Sequence, residues 1–411
     1  MTLNPENLKK PVTLFLTAFA VRLAYIFLTG PSAMLDMDSP EYLAYARNLL
    51  EGNGYTDGKW LAFRPPGYPF FIAGLYYVFG QSVLYLKIAQ ALISSLIPVL
   101  VYFTAKRLKL ERIAFGAALF SCFYFGLYQE PAHILSEGIF TFLFFFSVYC
   151  LLKTEDNRLF FPLTGALLGL TTFTRPVGLL LVPLFLAWTA FRFYRENFLR
   201  HSLLLLLAFC AVLAPWWIRN YRAFGTFVPV CLETGFVMRH SHSDPERLKK
   251  LSEFDGLPEL ERDRKNFAAG MEYFKEHSAP RLLKRWTGNF LRFLYPFTPV
   301  YDFTYALIFP FWLYGLYAAL KRRDPAAWPL FSMFVYFPVA AFFFGTARYR
   351  HSLGAFFILL AFLGVNSLLE RSKDGKTRGK ILFFSSFWLA FNLLVLFFSE
   401  QTRMFIKGFL I

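Results

Sequence analysis

The stretch 11–30, PVTLFLTAFAVRLAYIFLTG, is an apolar run that is followed directly by the acidic stretch 31–41, PSAMLDMDSPE. A helix needs about 20 apolar residues to cross the hydrocarbon of a bilayer, so the first stretch predicts a transmembrane helix. Carboxylates at a membrane surface are costly to desolvate unless the protein uses them. The cluster of Asp36, Asp38 and Glu41 therefore predicts a functional site where the first helix leaves the membrane.

The composition indicates that the rest of the chain is also rich in membrane-spanning segments. Of its 411 residues, 56% are hydrophobic and only 17% are charged, and the mean hydropathy is +0.42. These values exclude an ordinary soluble domain. Long uninterrupted apolar runs favour helices, because unpaired backbone groups are expensive in lipid. The predicted fold class is an all-α polytopic membrane protein.

The apolar runs predict about eleven transmembrane helices and three parts of the chain. The spans lie at about 11–30, 84–105, 113–129, 134–152, 159–175, 176–194, 199–218, 301–320, 326–345, 352–370 and 381–399. Helices outside the membrane are expected at 39–50, 68–80, 246–253, 257–277 and 281–297. We predict an N-terminal catalytic module at 1–218 with its first outer loop at 31–83, an extracytoplasmic subdomain at 219–300 and C-terminal helices at 301–411.

The net charge of +16 follows the predicted topology. Most of the basic residues fall in the loops on one side of the spans, which is the positive-inside pattern. We therefore expect a cytoplasmic N-terminus, a location in the inner (plasma) membrane and no nucleic-acid partner. The four cysteines do not form a disulfide framework, because three of them lie inside apolar runs.

Polar residues near the ends of the spans gather on the predicted outer face. They are Asp36, Asp38, Glu41, Arg64, His133, Glu137, Arg175, Arg219, Arg348 and Arg350. Carboxylates can activate a hydroxyl nucleophile, and arginines can neutralise a departing phosphate. This combination predicts an active site at the extracytoplasmic membrane surface.

Several of these residues stand in a pattern that resembles a known family. The pattern consists of Asp38, Tyr42, Ala46, Leu50, Gly52 and Gly54, then Arg64, Pro65, Pro66, Gly67, Tyr68 and Pro69, and finally Phe79 and Gly80. It is similar to the first outer loop of the bacterial GT-C glycosyltransferases of family 39, which include relatives of the protein O-mannosyltransferases and the aminoarabinose transferases. Weaker matches follow in the same order at Ser136 and Glu137, 174–176, 216–225 and 348–350.

The resemblance implies a GT-C fold and an inverting transfer of a sugar from a polyprenyl-phosphate donor. The acceptor stays open between a protein, a lipid and a surface glycan. Asp38 stands at the acidic position of the family, which implies that it is the general base. Its alternative role is to cap the helix that begins at Ser39. Glu137 is the second candidate catalytic residue, and its alternative is to complement the dipole of the helix that it begins.

Arg64 is assigned to the donor phosphate, because a guanidinium presents a planar set of donors to phosphate oxygens. Its alternative is to contact lipid headgroups. Arg219 binds the substrate or ties down the large loop, which is the segment 219–300. Arg175 fixes the turn in which it lies. The other expected substrate-binding residues are Asp36, Glu41, Tyr42, His133, Arg348, Tyr349 and Arg350.

A divalent metal is left open as a cofactor. His133 lies four residues before Glu137, so the two would share one face of a helix. Asp38, His133 and Glu137 would then be its ligands.

Two other functions stay open at this point. A ligase or polymerase that uses undecaprenyl-diphosphate-linked glycan would also place arginines on the outer face. A secondary transporter is less favoured, because the chain has no visible repeat and its only charged residues away from the span ends, Arg22 and Lys87, form no acidic relay.

Overall fold

The fold is described by a computed structural model, which covers residues 5–33, 36, 38–296, 301–323, 325–372, 375–402 and 404. The regular elements in this part of the chain are all helices, as predicted. In the first half the α-helices are α1 (Pro5–Thr29), α2 (Ser39–Leu50), α3 (Gly67–Phe79), α4 (Val83–Ser94), α5 (Leu96–Arg107), α6 (Glu111–Cys122), α7 (Phe125–Tyr128), α8 (Glu137–Lys153), α9 (Phe160–Thr174), α10 (Leu181–Phe193) and α11 (Phe198–Phe224).

The second half continues the helical pattern. Its α-helices are α12 (Thr234–Ser241), α13 (Pro245–Leu248), α14 (Glu259–Glu276), α15 (Ala279–Leu294), α16 (Phe303–Arg322), α17 (Tyr336–Phe342), α18 (Ala347–His351), α19 (Gly354–Arg371) and α20 (Gly375–Phe397). Short 3-10 helices lie at Glu130–Ala132, Pro176–Leu180, Leu251–Phe254 and Pro325–Val335.

Seven helices in the described part of the chain are long and apolar enough to cross a membrane. They are Leu8–Thr29, Val83–Arg107, Pro176–Phe193, Phe198–Phe224, Phe303–Arg322, Gly354–Arg371 and Arg378–Phe397. Each corresponds to a predicted span. The predicted spans at 113–129, 134–152, 159–175 and 326–345 contain shorter helices, so the count of eleven stays a prediction.

The helices predicted outside the membrane are found close to their expected positions. The helix predicted at 39–50 is α2, and the one predicted at 68–80 is α3. The segment 246–253 divides into α13 and a 3-10 turn, whereas 257–277 and 281–297 correspond to α14 and α15. Residue 297, the last of that prediction, lies outside the described residues.

Ion pairs between basic loops mark one end of the helix bundle. Arg107 and Arg192 both donate to Glu155, at 2.6 Å and 2.5 Å, and Arg158 pairs with Glu196 at 2.5 Å. These are loops that the charge pattern assigns to the cytoplasmic side. The acidic first loop and the candidate site lie at the other ends of the same helices.

A close contact between α3 and α9 positions the segment that carries Arg64. A Cβ atom added to Gly67 would lie 2.7 Å from the Thr174 hydroxyl oxygen and 2.8 Å from its Cα atom. Only glycine fits this approach, because real Cβ contacts are essentially never this short. The Pro65-Pro66-Gly67 sequence therefore brings the segment that begins at Arg64 close to the end of α9, which Arg175 follows.

The large loop packs against the first outer loop. The Glu259 carboxylate accepts hydrogen bonds from the backbone N–H groups of Leu61 and Ala62, at 2.6 Å and 2.9 Å. The Leu232 N–H donates to the Ala62 carbonyl at 2.7 Å, and the Arg262 guanidinium lies 4.4 Å from the centre of the Trp60 ring. These contacts hold the segment just before Arg64 from two sides.

The close contact between α16 and α19 provides a test of how the long helices pack. A Cβ atom at Gly315 would lie 1.7 Å from the Leu360 carbonyl oxygen, so Gly315→Ala should force the two helices apart. We expect a loss of roughly 1–3 kcal/mol, measured by thermal unfolding in detergent. Gly116→Ala is the control, because its Cβ would meet only Phe362 at 3.5 Å. Equal stability of the two variants would contradict this packing.

Candidate active site

Asp38 lies at the centre of the candidate site, where its two carboxylate oxygens have different arginine partners. Arg64 donates to Oδ1 at 3.0 Å, and Arg348 donates to Oδ2 at 2.9 Å. Asp38 directly precedes α2, but its side chain makes no capping hydrogen bond to that helix. The side chain of Asp38 therefore does not cap α2, which was the alternative role considered from the sequence.

Arg64 uses all three of its guanidinium nitrogens in ion pairs. Besides the bond to Asp38, Nε donates to Glu41 at 2.6 Å and the remaining nitrogen donates to Glu233 at 2.8 Å. The guanidinium also lies 5.4 Å from the centre of the Tyr42 ring. The side chain is only 11% exposed, so it is held in one orientation rather than extended toward lipid headgroups.

Glu137 is fully buried and joins two further arginines. Arg175 donates to its Oε1 atom at 2.7 Å, and Arg348 donates to the same atom. Arg175 also donates to the Ser136 hydroxyl at 3.2 Å. Glu137 has no exposed surface and does not line the cavity, so in this structure it holds the two arginines in place, and its catalytic role stays a prediction.

These arginines surround a cavity of about 400 Å³. Its charged lining consists of Asp38, Arg64, Arg175, Glu233 and Arg348. Its aromatic lining consists of Tyr42, Phe236, His240, Phe344 and Tyr349. The charged groups come from the first loop, the start of the 176–193 span, the large loop and α18, so a single chemical surface is assembled from four distant parts of the sequence.

Burial changes the ionisation of groups in this cavity. It raises the pKa of the Tyr42 phenol to about 12, so this hydroxyl is neutral at physiological pH. It also raises the pKa of the Glu233 carboxyl, against the opposing effect of Arg64. Burial alone would lower the pKa of Arg348, but the carboxylates of Glu137 and Asp38 raise it above its usual value. The arginines therefore stay charged, and Glu233 is the acid that accepts a proton more readily than usual.

His133 and Asp36 form a separate pair. The His133 Nδ1 atom lies 2.8 Å from the Asp36 carboxylate, and neither residue lines the cavity. Burial lowers the pKa of His133, but the hydrogen bond to Asp36 and the negative charges of Asp36, Glu130 and Glu137 together outweigh burial and raise the pKa. The expectation that His133 shares a helix face with Glu137 is wrong, because α8 begins only at Glu137 and His133 has an extended backbone.

The metal site considered from the sequence is not formed. Within the described ranges, no group of three His, Cys, Asp or Glu side chains is placed to hold a metal ion. Asp38 and Glu137 are occupied by arginines, and His133 by Asp36. These three residues therefore do not fit the role of a shared ligand set.

Arg350 and Arg219, which the sequence predicts as substrate contacts, lie away from the cavity. Arg350 is fully buried and donates to the carbonyls of Phe293, at 3.2 Å, and Tyr295, so it joins α18 to the end of α15. Arg219 donates to the Tyr55 carbonyl at 3.0 Å and to the Asn220 side chain, also at 3.0 Å. Neither arginine lines the cavity. Arg219 ties down the large loop, which was the alternative left open.

The other predicted residues divide between the cavity and its edge. Tyr42 and Tyr349 line it, whereas Glu41 pairs with Arg64 from outside the lining, with 41% of its side chain exposed. Sequence reasoning missed Glu233 and gave Arg175 only a role in its turn. The signal for Glu233 was a single acid in the apolar stretch VPVCLETGFV at 228–237.

Part of the chain matches a family model. Residues 63–218 match the model described as dolichyl-phosphate-mannose-protein mannosyltransferase. The match includes Arg64, Glu137 and Arg175, while Asp38, Glu233 and Arg348 lie outside it. No curated protein sequence matches this chain.

Solved structures match almost the whole chain. The oligosaccharyltransferase AglB from Archaeoglobus fulgidus, in complex with an inhibitory peptide and a dolichol-phosphate, has a TM-score of 0.57 at 15% identity over 94% of this chain and 54% of its own. The apo form of the Archaeoglobus fulgidus oligosaccharyltransferase has a TM-score of 0.58 at 14% identity, over 94% and 54% of the two chains. This protein has the GT-C fold.

The GT-C fold agrees with the resemblance stated from the first loop. ArnT from Cupriavidus metallidurans, bound to undecaprenyl phosphate, matches with a TM-score of 0.42 at 15% identity over 87% of this chain and 78% of its own. The chain spans about half the length of the matched oligosaccharyltransferases. These comparisons therefore establish the fold of this chain.

The buried contact of Glu137 with Arg175 and Arg348 predicts a large effect on stability. Glu137→Ala would leave two guanidiniums without their buried partner, which typically costs about 3–5 kcal/mol. The measurement is thermal unfolding in detergent. Glu370→Ala removes an exposed ion pair with Arg322 and should cost less than about 1 kcal/mol. Similar losses in the two variants would argue against a structural role for Glu137.

Proposed function

We propose that this protein is a glycosyltransferase that moves a sugar from a polyprenyl-phosphate-linked donor to an acceptor hydroxyl at the extracytoplasmic face of the plasma membrane. The observation that carries the proposal is Asp38, which lies between Arg64 and Arg348 on the wall of the cavity. A carboxylate beside two guanidiniums provides a proton acceptor and an anion-binding surface within one small volume.

In the proposed reaction, Asp38 is the general base. The acceptor hydroxyl attacks the anomeric carbon of the donor sugar from the side opposite the phosphate. A new C–O bond forms, the bond between the anomeric carbon and the phosphate oxygen breaks, and the configuration is inverted. The acceptor proton passes to Asp38, and the electron pair of the broken bond leaves with the polyprenyl phosphate.

The arginines stabilise the leaving phosphate in this mechanism. Arg64, Arg175 and Arg348 all line the cavity, and guanidiniums bind phosphate oxygens through pairs of parallel hydrogen bonds. Glu137 positions Arg175 and Arg348 from below the cavity surface. When Arg64 or Arg348 turns to the phosphate, an oxygen of Asp38 loses its guanidinium partner and is open to the acceptor hydroxyl.

The comparisons support the class of donor. The matched family model is named for a dolichyl-phosphate sugar, and one matched oligosaccharyltransferase structure contains a dolichol-phosphate. We extend the polyprenyl-phosphate class to this chain by proposal. The acceptor is a protein, a lipid or a surface glycan, and the other wall of the cavity, with Phe236, His240 and Phe344, is placed to contact it.

The contacts of Arg22 and Lys87 do not favour a transporter. Arg22 donates to Ser94 at 2.8 Å and to the Ala18 carbonyl at 3.1 Å. Lys87 donates to the carbonyls of Gly30 and Ala33, at 3.1 Å and 2.7 Å. Both side chains therefore hold helix ends and neighbouring helices together, and within the described residues neither forms the ion pair with an acid that a proton relay would require.

The general-base role predicts a specific loss of transfer. We expect Asp38→Asn to lower the transfer rate by roughly 10²- to 10⁴-fold, because the amide cannot accept the proton. The assay incubates the purified protein with polyprenyl-phosphate sugars and membrane extract and follows the labelled sugar. A parallel series with diphosphate-linked glycan tests the ligase or polymerase alternative.

The control for this assay is Glu51→Gln, which removes an exposed carboxylate at the end of the same helix. It should transfer sugar at the wild-type rate. Asp38→Asn with wild-type transfer would end the base assignment, and wild-type transfer only from the diphosphate donor would move the protein to the alternative class.

A further inference from the structure

The ion pairs of Arg64 leave little room for a phosphate. Each of its three guanidinium nitrogens already donates to a carboxylate, and the side chain is 11% exposed. A phosphate that binds Arg64 through two parallel hydrogen bonds needs two N–H groups on one edge of the guanidinium, and a carboxylate now lies at each of the three nitrogens. Displacement of one carboxylate would open such an edge to the donor.

The position of the three carboxylates indicates which one leaves. Glu41 pairs with Nε from outside the cavity lining, so a phosphate in the cavity does not compete with it directly. Asp38 lines the cavity but has Arg348 as a second partner. Glu233 also lines the cavity, and Arg64 is its single ion-pair partner among the residues that the structure describes. Of the two carboxylates that line the cavity, Glu233 therefore has fewer ion-pair partners than Asp38.

The charge balance of the site points in the same direction. Three guanidiniums, from Arg64, Arg175 and Arg348, face four carboxylates, from Asp38, Glu41, Glu137 and Glu233. When all of them are ionised, the network has an excess of negative charge, which disfavours the binding of a phosphate. Displacing or neutralising one carboxylate corrects this imbalance.

We propose that Glu233 occupies the phosphate position on Arg64 when no donor is bound, and that the donor phosphate displaces it. This inference rests on the proposed function. Glu233 is the residue just before α12, and α12 carries Phe236 and His240 on the acceptor side of the cavity. Displacement of Glu233 therefore links the arrival of the donor to the wall that faces the acceptor.

The test measures the affinity of the full-length protein in detergent for undecaprenyl phosphate. Glu233→Gln should bind this probe about tenfold more tightly than the wild type, which corresponds to about 1.4 kcal/mol, because a neutral amide competes less well for Arg64. Glu51→Gln is the control, since it removes an exposed carboxylate at the end of α2 that forms no ion pair with the arginines of the cavity. Its affinity should change by less than about threefold.

The pH dependence provides a second readout. The groups that face Glu233 are Arg64, Arg175, Asp38, Glu41, Tyr42, Tyr349 and Cys231, and His240 lies on the same cavity wall. Burial raises the pKa of the Glu233 carboxyl, so below that pKa it is neutral and competes weakly, and above it the charged form competes fully. The ratio of the affinities of Glu233→Gln and the wild type should therefore increase as the pH rises, and the titration of the probe itself cancels in this ratio.

The outcomes separate the two proposals. Equal or weaker binding by Glu233→Gln, with normal thermal unfolding and with binding lost in Arg64→Ala, would show that Glu233 only orients Arg64 and would overturn the inference. Glu233→Asp, which keeps the charge on a shorter side chain, should bind with an affinity between those of the wild type and Glu233→Gln. If neither the wild type nor Glu233→Gln binds undecaprenyl phosphate, the donor class in the proposed function fails, and this inference fails with it.

Discussion

The site depends on a network of partly buried ion pairs between arginines and carboxylates from distant segments. Asp38, Arg64, Glu137, Arg175 and Arg348 are joined through shared oxygens and nitrogens, and the most buried of them, Glu137, has no exposed surface. Breaking such a network by removing one member leaves an uncompensated charge in a region of low dielectric constant. The helix ends that carry these residues are thus held in one arrangement.

The same network explains how the cavity can contain three guanidiniums when the proposed phosphate donor is absent. Each guanidinium is neutralised by carboxylates, so the protein avoids the cost of unpaired buried charge. A phosphate can enter by exchange, because it offers the oxygens that the carboxylates supplied. In this arrangement the residues that stabilise the folded protein are also those that contact the proposed donor, and a change in one affects both stability and affinity.

The large loop contributes to this site more than its place in the sequence suggests. Glu233 reaches Arg64, while Glu259 binds the backbone at Leu61 and Ala62. These contacts join the loop to the same segment of the first outer loop at two points. The division of the chain at 218 and 300 stays a prediction, but the chemistry at the cavity uses residues from both sides of the first boundary.

The sequence by itself determined the helical class, the positions of the long spans and the short helices of the first loop, because apolar runs and glycine stops act locally. It also singled out Asp38, Arg64 and Arg348, since charged residues beside apolar spans are conspicuous. Only the tertiary structure decided which charges meet. Arg348 lines the cavity, whereas Arg350, only two residues later, is buried against the end of α15. Such differences arise from packing between distant segments, which determines the direction of each side chain and which a linear pattern does not contain.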